Sequence, residues 1–343
     1  MTSLRSILVP RLVRLKAGAL DRLAVYLERN GWSRVLLLRS DGLPPAVQQR
    51  LKLAAVSCSV VVEDASLEWL AALEKSLEPS FDAVVAVGGG KALDVAKLFA
   101  YRNDLPYVAV PTSLSNDGFC SPQSSLTVAG RKTTLPARLP VGVVVDLEVV
   151  GGAPESLWLS GIGDLVAKRT AIRDWKIAFH SDGTPFDDLA ALLSDASVFQ
   201  FMAHPTQDLD GVRLLAQALL LNGVAMEIAG SSRPASGSEH LISHSLDLLA
   251  DPPHLHGLQV GLATYWMARL QNQDVDDLDD LFERTGFWRY WREHPMPRML
   301  WLQALQAALT VKKNFISVLS DPGSVARATA LLENDSRLLA SLT

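Results

Sequence analysis

The sequence predicts a two-part α/β protein: a parallel sheet covered by helices on both faces, then an all-helical half. Three observations predict it. Short β-rich runs alternate with helical patterns through the first 150 residues, strand signals vanish after about residue 155, and Gly151, Gly152 and Pro154 mark a hinge between the two regimes. Strands of four or five residues with no polar face belong to a sheet buried on both sides.

An amphipathic stretch over 19–29 precedes a first strand at 34–38 (RVLLL). Apolar runs at 56–62, 83–87 (AVVAV), 107–110 (YVAV) and 141–145 (VGVVV) supply four more, the last ending at Asp146. Helical patterns at 67–77 and 92–101 lie between them. Beyond the hinge, apolar residues recur at helical spacing over 157–178, 187–202, 209–229, 239–249, 256–271 and 299–309, interrupted by Pro and Gly clusters at 231–237 and 251–253. The domains are placed at residues 1–155 and 156–343.

With 343 residues, 48% hydrophobic and 20% charged, the chain can bury two cores without a covalent staple. A net charge of −5 argues against a nucleic-acid partner but leaves room for a small anion held by one or two local cations. Cys58 and Cys120 are too few for a disulfide framework and point to a reducing, cytoplasmic compartment. Cys58, inside an apolar run, reads as a core residue. The N-terminus carries Arg5, Arg11, Arg14 and Lys16 but is interrupted by Pro10 and shows no export-signal pattern. The longest apolar stretch, 214–229, contains Gln217, Asn222 and Glu227, which makes it a buried helix and not a membrane span.

The run at 83–87 leads into Gly88-Gly89-Gly90-Lys91 and then a helix. Three glycines there remove every β-carbon that would block an anion, and the helix start offers free N–H groups and a positive dipole. A turn that merely needs glycine is the plainer alternative. Asp94 and Lys97, one helical turn apart, read as a surface ion pair. After the next strand, Pro111-Thr112-Ser113-Leu114-Ser115-Asn116-Asp117-Gly118 sets hydroxyls, an amide and a carboxylate where open α/β sheets bind ligands. Asp117 in isolation reads as a turn former.

Four of the seven histidines fall between residues 240 and 256. His240 and His244 share a helix face in GSEHLISH, and His254 and His256 open the next helix. Asp164, in GIGDLVAK, is placed near a helix start. Two imidazoles and a carboxylate make a three-ligand metal set with a position left for a substrate oxygen. His180, His204 and His294 receive no role.

GGGK with Asp94 and Lys97, PTSLSNDGFCSP, GIGDLVAK, GSEHLISH and HGLQVG occur in this order over roughly residues 30 to 320. Together they resemble the glycerol-1-phosphate dehydrogenases, within the larger group of iron-containing alcohol dehydrogenases, glycerol dehydrogenases and dehydroquinate synthases. The resemblance implies a dehydroquinate synthase-like fold: a Rossmann-like N-terminal domain, a helical metal- and substrate-binding C-terminal domain, and a cleft between them. It implies an NAD- or NADP-dependent interconversion of dihydroxyacetone phosphate and sn-glycerol 1-phosphate, or of a related phosphorylated polyol, by a homo-oligomer. Gly88, Gly89, Gly90 and the helix start with Lys91 and Asp94 would hold the cofactor pyrophosphate. Thr112, Ser113 and Ser115 would contact cofactor phosphate or nicotinamide, and Asp117 would sit near the nicotinamide and substrate hydroxyls. Asp164, His240 and His256 would hold zinc, or another divalent metal such as nickel or iron. His244 would relay a proton.

Two segments depart from the pattern. Leu258 stands where related sequences usually carry an acid. Lys312-Lys313-Asn314-Phe315-Ile316-Ser317-Val318-Leu319 stands where they tend to show Arg, an aromatic and Thr, so the phosphate contact must come from Lys312, Lys313 or elsewhere. After the first strand, Arg39-Ser40-Asp41-Gly42 offers both Asp41, suited to an NAD ribose, and an Arg suited to the extra phosphate of NADP. Rival expectations are a dehydrogenase of non-phosphorylated polyols, a dehydroquinate-synthase-like lyase using bound NAD, and a nucleotide-binding scaffold without turnover. An Asp at 164, where the lyases use Glu, and the complete ligand set weigh against the last two.

Overall fold

The computed structural model describes residues 7–77 and 80–343, so Arg5 lies outside the described residues. The chain forms two compact units, one running to Ala153 and including Gln207–Glu227, the other made of Pro154–Thr206 and Ile228–Thr343.

In the first unit, six strands form one sheet: β1 (Leu12–Lys16), β2 (Val35–Ser40), β3 (Val56–Val62), β4 (Ala83–Gly88), β5 (Tyr107–Pro111) and, after a hairpin of β6 (Gln123–Val128) and β7 (Arg131–Pro136), β8 (Gly142–Asp146). Their order is β1-β8-β5-β4-β2-β3, and every neighbouring pair is parallel. β4, β5 and β8 are buried at every position, which is why they read as unbroken apolar runs.

The expectation of five strands needs correction at the edges. β1 carries Arg14 and Lys16 and is only half-buried, so a sheet edge hides its signal. β3 forms the opposite edge, which leaves Cys58 half-buried, not in the core. The β6–β7 hairpin is largely polar. It is closed by Ala129 and Gly130 at φ 48° and 76°, the two left-handed positions of a tight hairpin turn.

β2 leads to β3 on one side, and the chain then returns to β4 on the other. The carboxyl ends of β2 and β4 therefore flank a reversal of strand order, where open α/β sheets form a crevice.

The Leu209–Ala229 helix, predicted in the second domain, has most of its length in the first unit. Packing explains this: a β-carbon at Gly223 would lie 1.3 Å from the Cys120 carbonyl oxygen, a contact only glycine permits. The helix is long and apolar enough to cross a membrane, yet 56% of its apolar window is buried within the protein.

Among the described residues the second unit is helical apart from an isolated bridge between Met296 and Leu342. The continuous helix predicted over 157–178 breaks at Ala167 into Glu155–Val166 and Lys168–Asp182. Asp164 consequently lies in the last turn of a helix, not near a start. The glycines that suggested a helix opening serve packing instead, since a β-carbon at Gly163 would lie 1.9 Å from the Gly257 carbonyl oxygen. Trp175, Trp266, Trp288, Trp291 and Trp301 are fully buried and dominate this core.

Candidate metal centre and cofactor turn

In the first unit, β4 ends at Gly88 and a helix runs over Gly90–Arg102. The three glycines differ in their reasons. Gly88 has φ 148°, and a β-carbon there would stand 2.0 Å from Ser40 Oγ, so β2 itself excludes a side chain. Gly89 and Gly90 face open space, and the Gly89 N–H donates to Ser40 Oγ at 3.1 Å. Gly88 pairs with Pro111, and the Thr112 N–H donates to the Gly88 carbonyl at 3.1 Å. The glycine turn and the start of the hydroxyl loop thus lie side by side at one sheet end.

Thr112, Ser113, Ser115 and Asp117 are half-buried. The turn at Asp117 is made by its neighbour, because Asn116 Oδ1 accepts from the Gly118 N–H at 2.8 Å. Asp41 is exposed beyond β2 and accepts from the Gly42 N–H at 2.8 Å. Lys91 is exposed, with its ammonium on the Glu63 carbonyl at 2.8 Å.

Asp94 and Lys97 are not a surface pair. The Lys97 side chain is fully buried, 3.2 Å from Asp94 Oδ1, and donates to the carbonyls of Gly118 and Gln123 at 2.6 Å each, with Ser121 Oγ at 3.2 Å. Burial raises the Asp94 pKa, with Lys97 opposing it. The cation therefore ties the helix to the loop that carries Asp117.

In the second unit, Asp164, His240 and His256 each offer a ligand atom, all within 4.8 Å of one another. They come from the Glu155–Val166, Ser238–Leu249 and His256–Leu270 helices. The first and third of these meet through glycine: a β-carbon at Gly261 would lie 2.7 Å from the Gly163 Cα, beside the clash at Gly257 O. His240 Nε2 faces Asp164 Oδ1 at 3.6 Å, and its Nδ1 is 2.9 Å from Glu239 Oε1. His256 Nδ1 is 3.0 Å from Ser243 Oγ, which also donates to Gln259 Oε1 at 2.9 Å. Support for His256 thus comes from Ser243 and Gln259, while Leu258 is buried apolar core.

Lys168 lies one turn beyond Asp164, its ammonium 2.9 Å from the Asp164 carbonyl and 3.7 Å from Oδ2. Burial works to raise the Asp164 pKa, but Lys168, His240 and His256 outweigh it and hold the carboxyl well below the usual range. Burial likewise opposes a charged His240, yet Asp164 and Glu239 lift its pKa to about 9. The ionised carboxylate suits a divalent ion, and the proton favoured on His240 must leave before that ring can coordinate one. His244 is half-buried, its ring 5.6 Å from that of His256 and 6.1 Å from that of His240, and it forms a second close group with Asp247 and His256.

Sequence reasoning missed Lys168, Glu239, Ser243 and Gln259. Three of them had a legible signal: Glu239 adjoins a ligand histidine, Ser243 follows His240 by three residues, and Lys168 follows Asp164 by four, which on a helix shares a face.

The chain thus has a parallel α/β unit with an open glycine turn and a helical unit with a carboxylate–imidazole cluster, and its fold is that of solved iron-containing alcohol dehydrogenases. The family model described as iron-containing alcohol dehydrogenase matches residues 14–154. The glycerol-1-phosphate dehydrogenase (NAD(P)+) of Pyrococcus furiosus is 37% identical over 270 residues, 77% of this chain and 78% of that one. That of Thermococcus kodakarensis is 37% identical over 255 residues, 73% of each. The chain belongs to the glycerol-1-phosphate dehydrogenase family. A probable glycerol dehydrogenase from Sinorhizobium meliloti shares the fold, with a TM-score of 0.76 at 23% identity over 97% of this chain and 99% of the other.

Proposed function

We propose that this chain is an NAD(P)-dependent, metal-dependent oxidoreductase that interconverts dihydroxyacetone phosphate and sn-glycerol 1-phosphate. The observation that carries it is the Asp164–His240–His256 cluster in a chain of this family. The first unit is the dinucleotide-binding domain and the second holds metal and substrate. Gly90 and the helix start, with Lys91 and Asp94 beside them, receive the cofactor pyrophosphate through backbone amides, and Gly89 leaves the space open. Thr112, Ser113 and Ser115 hydrogen-bond cofactor phosphate or carboxamide, and Asp41 accepts from a ribose.

Asp164, His240 and His256 would hold a divalent ion, which we assign as zinc from the donor set; when bound it would supply Lewis acidity at the substrate oxygen, and a nicotinamide cofactor would supply the hydride chemistry. Glu239 and Ser243, each at the Nδ1 of a ligand histidine, orient the rings and leave Nε2 for coordination. His244 passes a proton to or from the substrate oxygen, and Asp117 orients substrate hydroxyls. The free thiols of Cys58 and Cys120 support a reducing, cytoplasmic setting. A homo-oligomer belongs to the same reading, supported by the exposed apolar side chains of Leu189, Leu192 and Phe199 on one helix.

The test is oxidation of NADH and NADPH by metal-stripped protein with dihydroxyacetone phosphate, dihydroxyacetone or glyceraldehyde 3-phosphate, before and after adding Zn²⁺ or Ni²⁺. Metal-restored turnover of dihydroxyacetone phosphate is expected. Its absence with every metal and cofactor refutes the reading.

A further inference from the structure

An ion can occupy the Asp164–His240–His256 set only if a path leads to it. Asp164 and His240 are just 2% and 8% exposed. Beside them, His244, Asp247 and His256 form a second group whose donor atoms also lie within 4.8 Å of one another, and all three residues are half-buried. His240, His244 and Asp247 follow at spacings of four and three residues, which puts them on one face of the Ser238–Leu249 helix. That face steps outward, since Leu248 and Leu249, next along the helix, are exposed. His256 belongs to both groups, its ring centre 5.2 Å from that of His240 and 5.6 Å from that of His244.

Hydrogen bonding decides which His256 nitrogen can bind a cation. The Ser243 hydroxyl spends its hydrogen on Gln259 Oε1 at 2.9 Å, so its oxygen accepts from His256 Nδ1 at 3.0 Å. Nδ1 therefore carries the ring hydrogen, and Nε2 keeps a lone pair. One lone pair serves one ion at a time, so the two groups are alternative positions for a single ion. Water competes more strongly for the half-buried group, and the buried group meets a cation with less screening. The outer position is the weaker one.

We infer that His244, Asp247 and His256 form a loading position for the divalent ion, from which His256 passes it inward to Asp164 and His240. This inference rests on the metal-centre reading given above. His256 stays bonded throughout. His244 and Asp247 let go as His240 and Asp164 take hold, and the proton favoured on His240 leaves to water. Delivery of the ion returns His244 to its place as proton relay.

Metal-free full chain is mixed with Co²⁺ as the probe. Uptake is read from the visible absorption of the coordinated ion, and release is read into excess chelator. Asp247→Asn should slow uptake about tenfold to a hundredfold, the scale of losing one supporting group at a metal centre. Release should slow by the same factor, so that affinity is unchanged. Asp247→Glu should restore part of the rate, and both variants should keep native circular dichroism. Asp164→Asn, with the inner set broken, should retain weak Co²⁺ binding in a titration without dialysis, and Asp164→Asn/Asp247→Asn should lose it. Wild-type uptake in Asp247→Asn, or an affinity lost through faster release alone, overturns the loading position and leaves the inner centre standing. No Co²⁺ binding by wild type sinks the metal reading itself, and the loading position with it.

Discussion

Gly257 lies against Ser160 with no room for a side chain: a β-carbon at 257 would stand 1.9 Å from the Ser160 carbonyl oxygen. This contact is one residue from His256, on the helix crossing that also holds Gly163 beside Asp164. Gly257→Ala should push the two ligand-bearing helices apart. We expect a loss of about 1–3 kcal/mol in denaturant unfolding, together with weaker zinc binding by calorimetric titration. Wild-type zinc affinity in the alanine variant would show that the crossing does not set ligand spacing.

Asp164→Asn keeps the volume of the side chain but removes its charge beside Lys168 and His240. Metal content after dialysis, measured by mass spectrometry, should fall well below one ion per chain while far-ultraviolet circular dichroism stays native. Stoichiometric metal retained by the D164N protein would remove Asp164 from the ligand set.

Lys97→Met removes a buried ammonium and takes a charged partner from the Asp94 carboxylate and from the carbonyls of Gly118 and Gln123. Losing one member of a buried charged cluster costs ~3–5 kcal/mol. Chemical denaturation should show a loss of that order, and a variant within ~1 kcal/mol of wild type would contradict the bonding described for Lys97.

Burial, with the Glu239 charge adding to it, raises the Asp174 pKa from 3.8 to about 6. The folded state therefore binds a proton that the unfolded state has released between these values. This contribution to stability is present below pH 3.8 and is lost as pH rises through about 6. Unfolding free energies across this window should fall with rising pH more steeply in wild type than in Asp174→Asn. Parallel profiles would place the Asp174 pKa near its ordinary value.

Much of the fold is legible because buried parallel strands are apolar throughout, as at 83–87 and 107–110. The misses share a physical cause. β1 and the β6–β7 hairpin are partly solvated, so their residues need not be apolar and leave no periodic signal. The break at Ala167 is not legible because no Gly or Pro marks it in the sequence. In the site, the histidine cluster is visible as spacing, and Lys168 is visible by its position four residues after Asp164 but not by its burial. A buried cation in a sequence looks like a surface one until packing shows which acceptors surround it. Gly163 misled for a related reason, since a glycine demanded by a helix crossing is indistinguishable in sequence from one that opens a helix.

The Ser40 hydroxyl behind Gly88 has a consequence for the anion turn. It already occupies the Gly89 N–H, so the amides that a helix start leaves for a visitor are those of Gly90, Lys91 and Ala92. The socket has a rear wall supplied by the adjacent strand, and a bulkier residue at 40 would close it from behind without altering any group at its mouth.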